Sequence, residues 1–252
     1  MRACNRVGKG VSVEILKDWG DAGGGLYFLG KYGHVLAGVA WIGLLYFFNF
    51  VQVPAYAELS AGARTEAFDK VTWRALWWFR MAAAATFATG ALMWALAGDD
   101  FKGPYLLSIA WGSILGTTMF LNVWGVIWRN QKVNINSMRT EGKPNADAAK
   151  KAARASRANA MFSIPMLFFM VFTSHFAVRY EDPSGGKLAV VWIIFLATWG
   201  FIEANALGLV GGLDSQFNKL VFDTHKNTII AGAVYWLVLL VLCWELIIGG
   251  LS

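Results

Sequence analysis

Apolar positions in this chain neither alternate nor recur every three or four residues; they run together. Six stretches stay apolar, at 26–53, 71–97, 105–128, 160–180, 188–209 and 228–248. A hydrocarbon core about 30 Å thick takes roughly 20 helical residues to cross. Backbone groups in lipid find partners only within a helix or a closed barrel. The pattern therefore predicts an all-α fold, a polytopic transmembrane helical bundle of about six main spans plus short interfacial helices.

The polar connections give this bundle sides. Residues 129–158 hold eight Lys/Arg (Arg129, Lys132, Arg139, Lys143, Lys150, Lys151, Arg154, Arg157) against Glu141 and Asp147. The positive-inside rule makes this loop cytoplasmic. Alternation then puts the acidic connections 98–103 and 181–186, and both termini, on the periplasmic side of a bacterial inner membrane. Segments 57–69 and 214–226 are long enough for short surface helices. Residues 1–25 read as an N-terminal interfacial segment, with Val11, Val13, Ile15, Leu16 and Trp19 among charges and a hinge at Gly23-Gly24-Gly25. They hold no apolar core followed by a cleavage site, so no cleavable signal peptide is expected. Residues 26–252 then form a single transmembrane helical domain.

Composition supports lipid as the solvent: 57% of the 252 residues are hydrophobic and 15% are charged. The net charge of +6 does not argue for nucleic acid, because the basic residues gather in one connection between spans. Membrane lipid is the expected partner. Cys4 and Cys243 lie at opposite ends, which suggests neither a disulfide framework nor a thiolate metal site.

Two of the three histidines, His34 and His175, fall inside spans, where an ionisable side chain is a functional hypothesis by default. His34 is about eight residues from the outer end of its span and His175 about five, so at 1.5 Å per residue they differ in depth by roughly 5 Å. Two neutral imidazoles at one level suit haem b, an apolar macrocycle with two axial nitrogens from facing helices. Ala37 and Gly38 at i+3 and i+4 from His34 leave a bare helix face, and Trp41 lies one heptad below. Lys31 and Arg179 stand where propionates would emerge. The alternative is that each histidine bonds across a helix interface and the glycines serve tight packing. Zinc or copper is a weaker reading, since no third ligand is evident at that level. His225 follows Asp223 and Thr224, either of which can cap the last helix, and is expected at the surface.

A second polar level lies nearer the cytoplasmic side, with Asn49, Gln52, Arg80, Asn122, Glu203 and Asn205. Arg80 and Glu203 are at similar depth and could form a buried pair. That pair either fixes helix order or belongs to a pocket for a small polar substrate, a quinone head group or a proton; Arg80, Glu203, Asn49 and Asn122 are the catalytic candidates. Trp19, Trp73, Trp77, Trp78, Trp94, Trp128 and Trp244 read as an interfacial belt. Trp41, Trp111, Trp192, Trp199 and Trp236 read as core.

The run Gly33-His34-Val35-Leu36-Ala37-Gly38-Val39-Ala40-Trp41-Ile42-Gly43, continuing through Asn49 and Gln52 to Pro54, resembles the first span of the bacterial membrane-bound urate hydroxylases. Ala75-Leu76-Trp77-Trp78-Phe79-Arg80 and Ser163-Ile164-Pro165-Met166-Leu167-Phe168, leading to Thr173-Ser174-His175-Phe176, are similar to matching segments of that family. The resemblance spans most of 26–209. It implies a multi-spanning module that oxidises urate and hands electrons to a c-type cytochrome domain. No Cys-x-x-Cys-His occurs before Ser252, so a c-type cytochrome is expected as a separate partner. The family also tends to have a histidine just before the fourth span, where Ser156-Arg157-Ala158-Asn159 has none. The first-span pattern is more weakly similar to membrane protoporphyrinogen oxidases with a b-type haem. Two function classes follow. One is a haem b-binding oxidoreductase or electron-transfer protein; the other is a non-catalytic accessory subunit of a larger membrane complex, or a homo-oligomer component. A transporter is disfavoured by the absence of duplicated halves.

Overall fold

The computed structural model describes residues 13–16 and 18–250. Cys4, Val11 and the leader's Arg2, Arg6, Lys9 and Lys17 lie outside the described residues. Seven helices carry the described chain: α1 Gly25–Glu58, α2 Ala61–Ala97, α3 Gly103–Glu141, α4 Ala146–His175, α5 Gly185–Ala206, α6 Gln216–Phe222 and α7 His225–Gly249. All but α6 are long and apolar enough to cross a membrane. Among the described residues there is no strand.

The helix ends follow from local chemistry. Ser60, Asn145, Ser184, Ser215 and Thr224 each accept a backbone N–H of the first turn they precede, as oxygen-bearing N-caps do. Pro104 occupies the first turn of α3, where its missing N–H costs nothing. Gly142, at φ +67°, stops α3 in the left-handed region.

Three boundaries differ from the sequence expectation. Residues 57–69 form no separate surface helix; they are the last residues of α1 and the first of α2, joined at Leu59 and Ser60. The basic connection is no open loop either. α3 continues to Glu141 and α4 begins at Ala146, and Ile135, Met138, Ala148, Ala152 and Ala155 bury their side chains. An apolar seam outside lipid therefore holds this pair of helices together. Finally α4 stops at His175 rather than Tyr180, followed by the turn Ala177–Arg179.

α1 packs mainly on α2, while α4 lies between α3 and α7. The interior is aromatic: Trp111 stacks on Phe195 with ring centroids 4.6 Å apart and meets Phe169, Trp192 and Trp244 edge-on. Trp244, expected in the interfacial belt, is fully buried against Phe172 and Tyr180, because this end of α7 is covered by α4 and the chain that follows it. Trp77 and Trp78 are exposed as a belt requires.

α4 and α7 meet most closely at Gly232, where a Cβ would lie 2.9 Å from the Met161 carbonyl oxygen. That carbonyl has no helical N–H to accept, since the residue four positions on is Pro165. Proline thus frees the oxygen and glycine lets the neighbouring helix reach it. The α5–α7 connection is tied to α4 by Arg154, which donates to the carbonyls of Leu213 and Asn218 and, at 2.6 Å, to Asp223 Oδ1. Lys150 adds a bond to Asp214 at 2.8 Å.

Candidate functional site

His34 sits half-buried between α1 and α2. Its Nδ1 lies 2.8 Å from the Thr86 carbonyl oxygen and 3.2 Å from Thr89 Oγ1. A carbonyl only accepts, so Nδ1 carries the proton and Nε2 keeps its lone pair. Gly90 leaves room for the ring: a Cβ there would meet His34 Cε1 at 3.2 Å. Beside it Gly38 faces open space.

His175, exposed at the end of α4, has Nδ1 3.0 Å from the Val171 carbonyl oxygen of its own helix. It too leaves Nε2 free. The two histidines are equally far along their helices from one interhelical contact. Tyr46 of α1 and Ser163 of α4 are joined by a 2.8 Å hydrogen bond; His34 precedes Tyr46 by 12 residues and His175 follows Ser163 by 12, about 18 Å along each helix. Twelve residues also turn a helix by about 120°, which is why His34 faces α2 while Tyr46 faces α4. Each imidazole thus lies about 18 Å along its own helix from the Tyr46–Ser163 bond, and neither bonds to nor stacks on the other. Val35 and Val39 of α1, and Leu167 and Val171 of α4, are exposed in this half of the bundle.

Of the other expected cofactor contacts, Trp41 is buried with no partner for its indole Nε1. Lys31 is exposed, and Arg179 is exposed with its guanidinium 5.2 Å from the Phe176 ring centroid. Among the described residues no group of three or more His, Cys, Asp or Glu is placed to hold a metal ion.

The second polar level is bonded in three separate groups. Asn122 Nδ2 donates to Asn159 Oδ1 at 3.0 Å and to Glu203 Oε2 at 3.2 Å, and Asn159 Nδ2 donates to the Met119 carbonyl. Asn49 Nδ2 bonds Ser156 Oγ at 2.8 Å, and Thr72 joins Gln52 to Tyr56. Several of these residues lie on π-helical turns, Phe47–Gln52, Phe68–Thr72 and Asn122–Ile127. The wider turn re-aims side chains, and such turns occur frequently at functional sites.

Arg80 and Glu203 do not pair. The Arg80 guanidinium lies 3.3 Å from the Trp128 ring centroid, and its Nε donates to the Leu76 carbonyl. Glu203 instead turns to Asn122. The face of α2 that carries Arg80 looks at the aromatic side of α3, so an indole takes the guanidinium. Asn159 was not singled out by sequence reasoning; its place opposite Asn122 is a contact between α3 and α4 that no local pattern reports.

Residues 101–203 match the family model described as urate oxidase N-terminal. That stretch is similar to the family. None of the curated proteins and none of the solved structures matches the chain. The matched stretch takes in α3, α4 and α5 as far as Glu203. It therefore contains Asn122, Asn159, His175 and Glu203, while His34, Asn49 and Arg80 precede it.

Proposed function

We propose that the chain is the membrane module of a urate-hydroxylase-like redox system, holding haem b through His34 and His175 and passing electrons toward a separate c-type cytochrome. One observation carries the reading: inside a chain with a stretch similar to the urate oxidase N-terminal family, two histidines equally far along their helices from one interhelical contact each spend Nδ1 on a carbonyl and keep Nε2 free. That is how a protein orients an imidazole for an iron. Each histidine offers one free Nε2 to the group. Gly38 keeps the helix face beside His34 open, and Lys31 and Arg179 offer cations to propionates. Bound haem would supply one-electron transfer.

The chain's own residues do the rest. Thr86 fixes the tautomer of His34, and the surrounding apolar side chains exclude water. At the other level Glu203 holds or releases a proton beside Asn122, and Arg80, stacked on Trp128, leaves donors free for an electron-rich heterocycle or quinone head group. The basic end is the cytoplasmic one, and the histidines lie toward the periplasm of a bacterial inner membrane.

The test is optical. Reduced-minus-oxidised spectra of the purified chain should show a bis-histidine b-type signal, lost in His34→Ala and in His175→Ala. A wild-type protein with no such signal after haem supplementation would refute the assignment.

A further inference from the structure

Arg157 is 7% exposed, yet it makes no hydrogen bond or ion pair with any described residue, and its Nη1 is enclosed without a partner. Its neighbour Arg154 has three partners, and Arg80 lies on an indole. Arg157 alone of these buried guanidiniums is left bare. Asp223 attracts it, but that carboxylate is already bonded to Arg154; one carboxylate shared by two guanidiniums leaves an excess positive charge that is costly to bury, so the surroundings indicate what is missing.

Those surroundings are the start of α7. Met161 and Ile164 touch Gly232, and Arg157 lies on the same α4 face, four and seven residues earlier. α4 and α7 run in the same direction, so this register sets Arg157 just above the first turn of α7. Side chains on a helix tilt toward its N-terminus, which carries the guanidinium down to that turn. Thr224 Oγ1 takes the Asn227 N–H at 3.1 Å; the N–H groups of His225 and Lys226 belong to the unpaired set of a helix start. His225 and Lys226 are exposed, and the His225 ring lies 6.4 Å from Phe50 of α1. The Asn49–Ser156 bond closes the α1–α4 side. Asp223 stands at the same turn, with Oδ1 already bound by Arg154 at 2.6 Å.

An unpartnered guanidinium and the positive end of a 25-residue helix thus converge beside a Lys, where the apolar run of α4 begins. Both favour an oxyanion, and this depth is that of lipid head groups. We propose that Arg157, the first-turn amides of α7 and Lys226 form an oxyanion site that takes the phosphate of an anionic phospholipid, a chemistry that inorganic phosphate shares. The site is independent of the haem reading.

The test uses the full chain, delipidated in neutral detergent, with thermal midpoints followed against phosphatidylglycerol, phosphate-free monoolein, and inorganic phosphate at matched ionic strength. Wild type should be stabilised by phosphatidylglycerol and not by monoolein, and Arg157→Gln should need at least about tenfold more of it for half the shift. If inorganic phosphate reproduces the whole shift and phosphatidylglycerol adds nothing, the site stands and its occupant is the free ion. Equal responses of wild type and Arg157→Gln to both anions would overturn it. Should Arg157→Gln not fold, the exposed pair His225→Ala with Lys226→Gln decides: a several-fold weaker response supports the site and an unchanged one overturns it.

Discussion

His34 is held by a helix other than its own. Thr86 and Thr89, one turn apart on α2, take up Nδ1, and Gly90 leaves the ring its space. Gly90→Val should push the imidazole off this position and lower haem retention severalfold in a pyridine haemochrome assay, while Gly38→Ala, which meets nothing within 4 Å, should not lower the thermal midpoint. Asn159 is the corresponding residue at the second level. Asn159→Leu deprives Asn122 of an acceptor and leaves the Met119 carbonyl without a side-chain donor, at a cost of about 1–3 kcal/mol, measurable as a lower midpoint in detergent. The histidines were legible in the sequence because ionisable residues are rare in apolar runs. Their partners were not: Thr86 lies 52 residues from His34, and threonine is unremarked in a transmembrane helix. The same limit explains Arg80, whose depth was legible but whose choice of Trp128 over Glu203 depends on which faces two helices turn to each other.

At the level of elements, contact between α4 and α7 rests on a proline and a glycine on different helices. Gly232→Ala would set a methyl against the Met161 carbonyl and Ile164, forcing the helices apart at about 1–3 kcal/mol; an unchanged midpoint would contradict the packing. The connection from α5 to α7 is fastened by Lys150 and Asp214, and that hydrogen bond holds the Asp214 carboxyl below its ordinary value. A carboxyl lowered in the folded state stabilises above its unfolded value of about 3.9 and loses that contribution as pH falls through the folded one. The midpoint difference between wild type and Asp214→Asn should therefore hold from pH 5 to 8 and shrink below about pH 4. Hydropathy located the apolar stretches of all six long helices. It missed the 14-residue polar end of α3 because its seam is narrow and its remaining surface is charged. The spacing of Ile135 and Met138 was the available signal.

For the molecule as a whole, the family match and the sequence resemblance overlap only in part. His175 and the Asn122–Glu203 network lie within the stretch similar to the urate oxidase N-terminal family, whereas His34 does not; the proposed haem would join that stretch to the α1–α2 pair. Sequence supplied the number and order of the long apolar helices. It could not supply lateral arrangement, which depends on contacts such as Tyr46–Ser163 between residues 117 apart.

The 39 residues of α3 measure about 58 Å as a helix, nearly twice the thickness of a hydrocarbon core. Its far end, braced by α4, is a rigid post rather than a flexible loop. A fluorophore on Lys143→Cys, in a Cys4→Ser background, should then stand at one height, roughly 25 Å beyond the hydrocarbon boundary. Energy transfer to acceptors in the nearer leaflet would report a single narrow distance, and from which side of a sealed vesicle the dye can be quenched would report the orientation of the bundle.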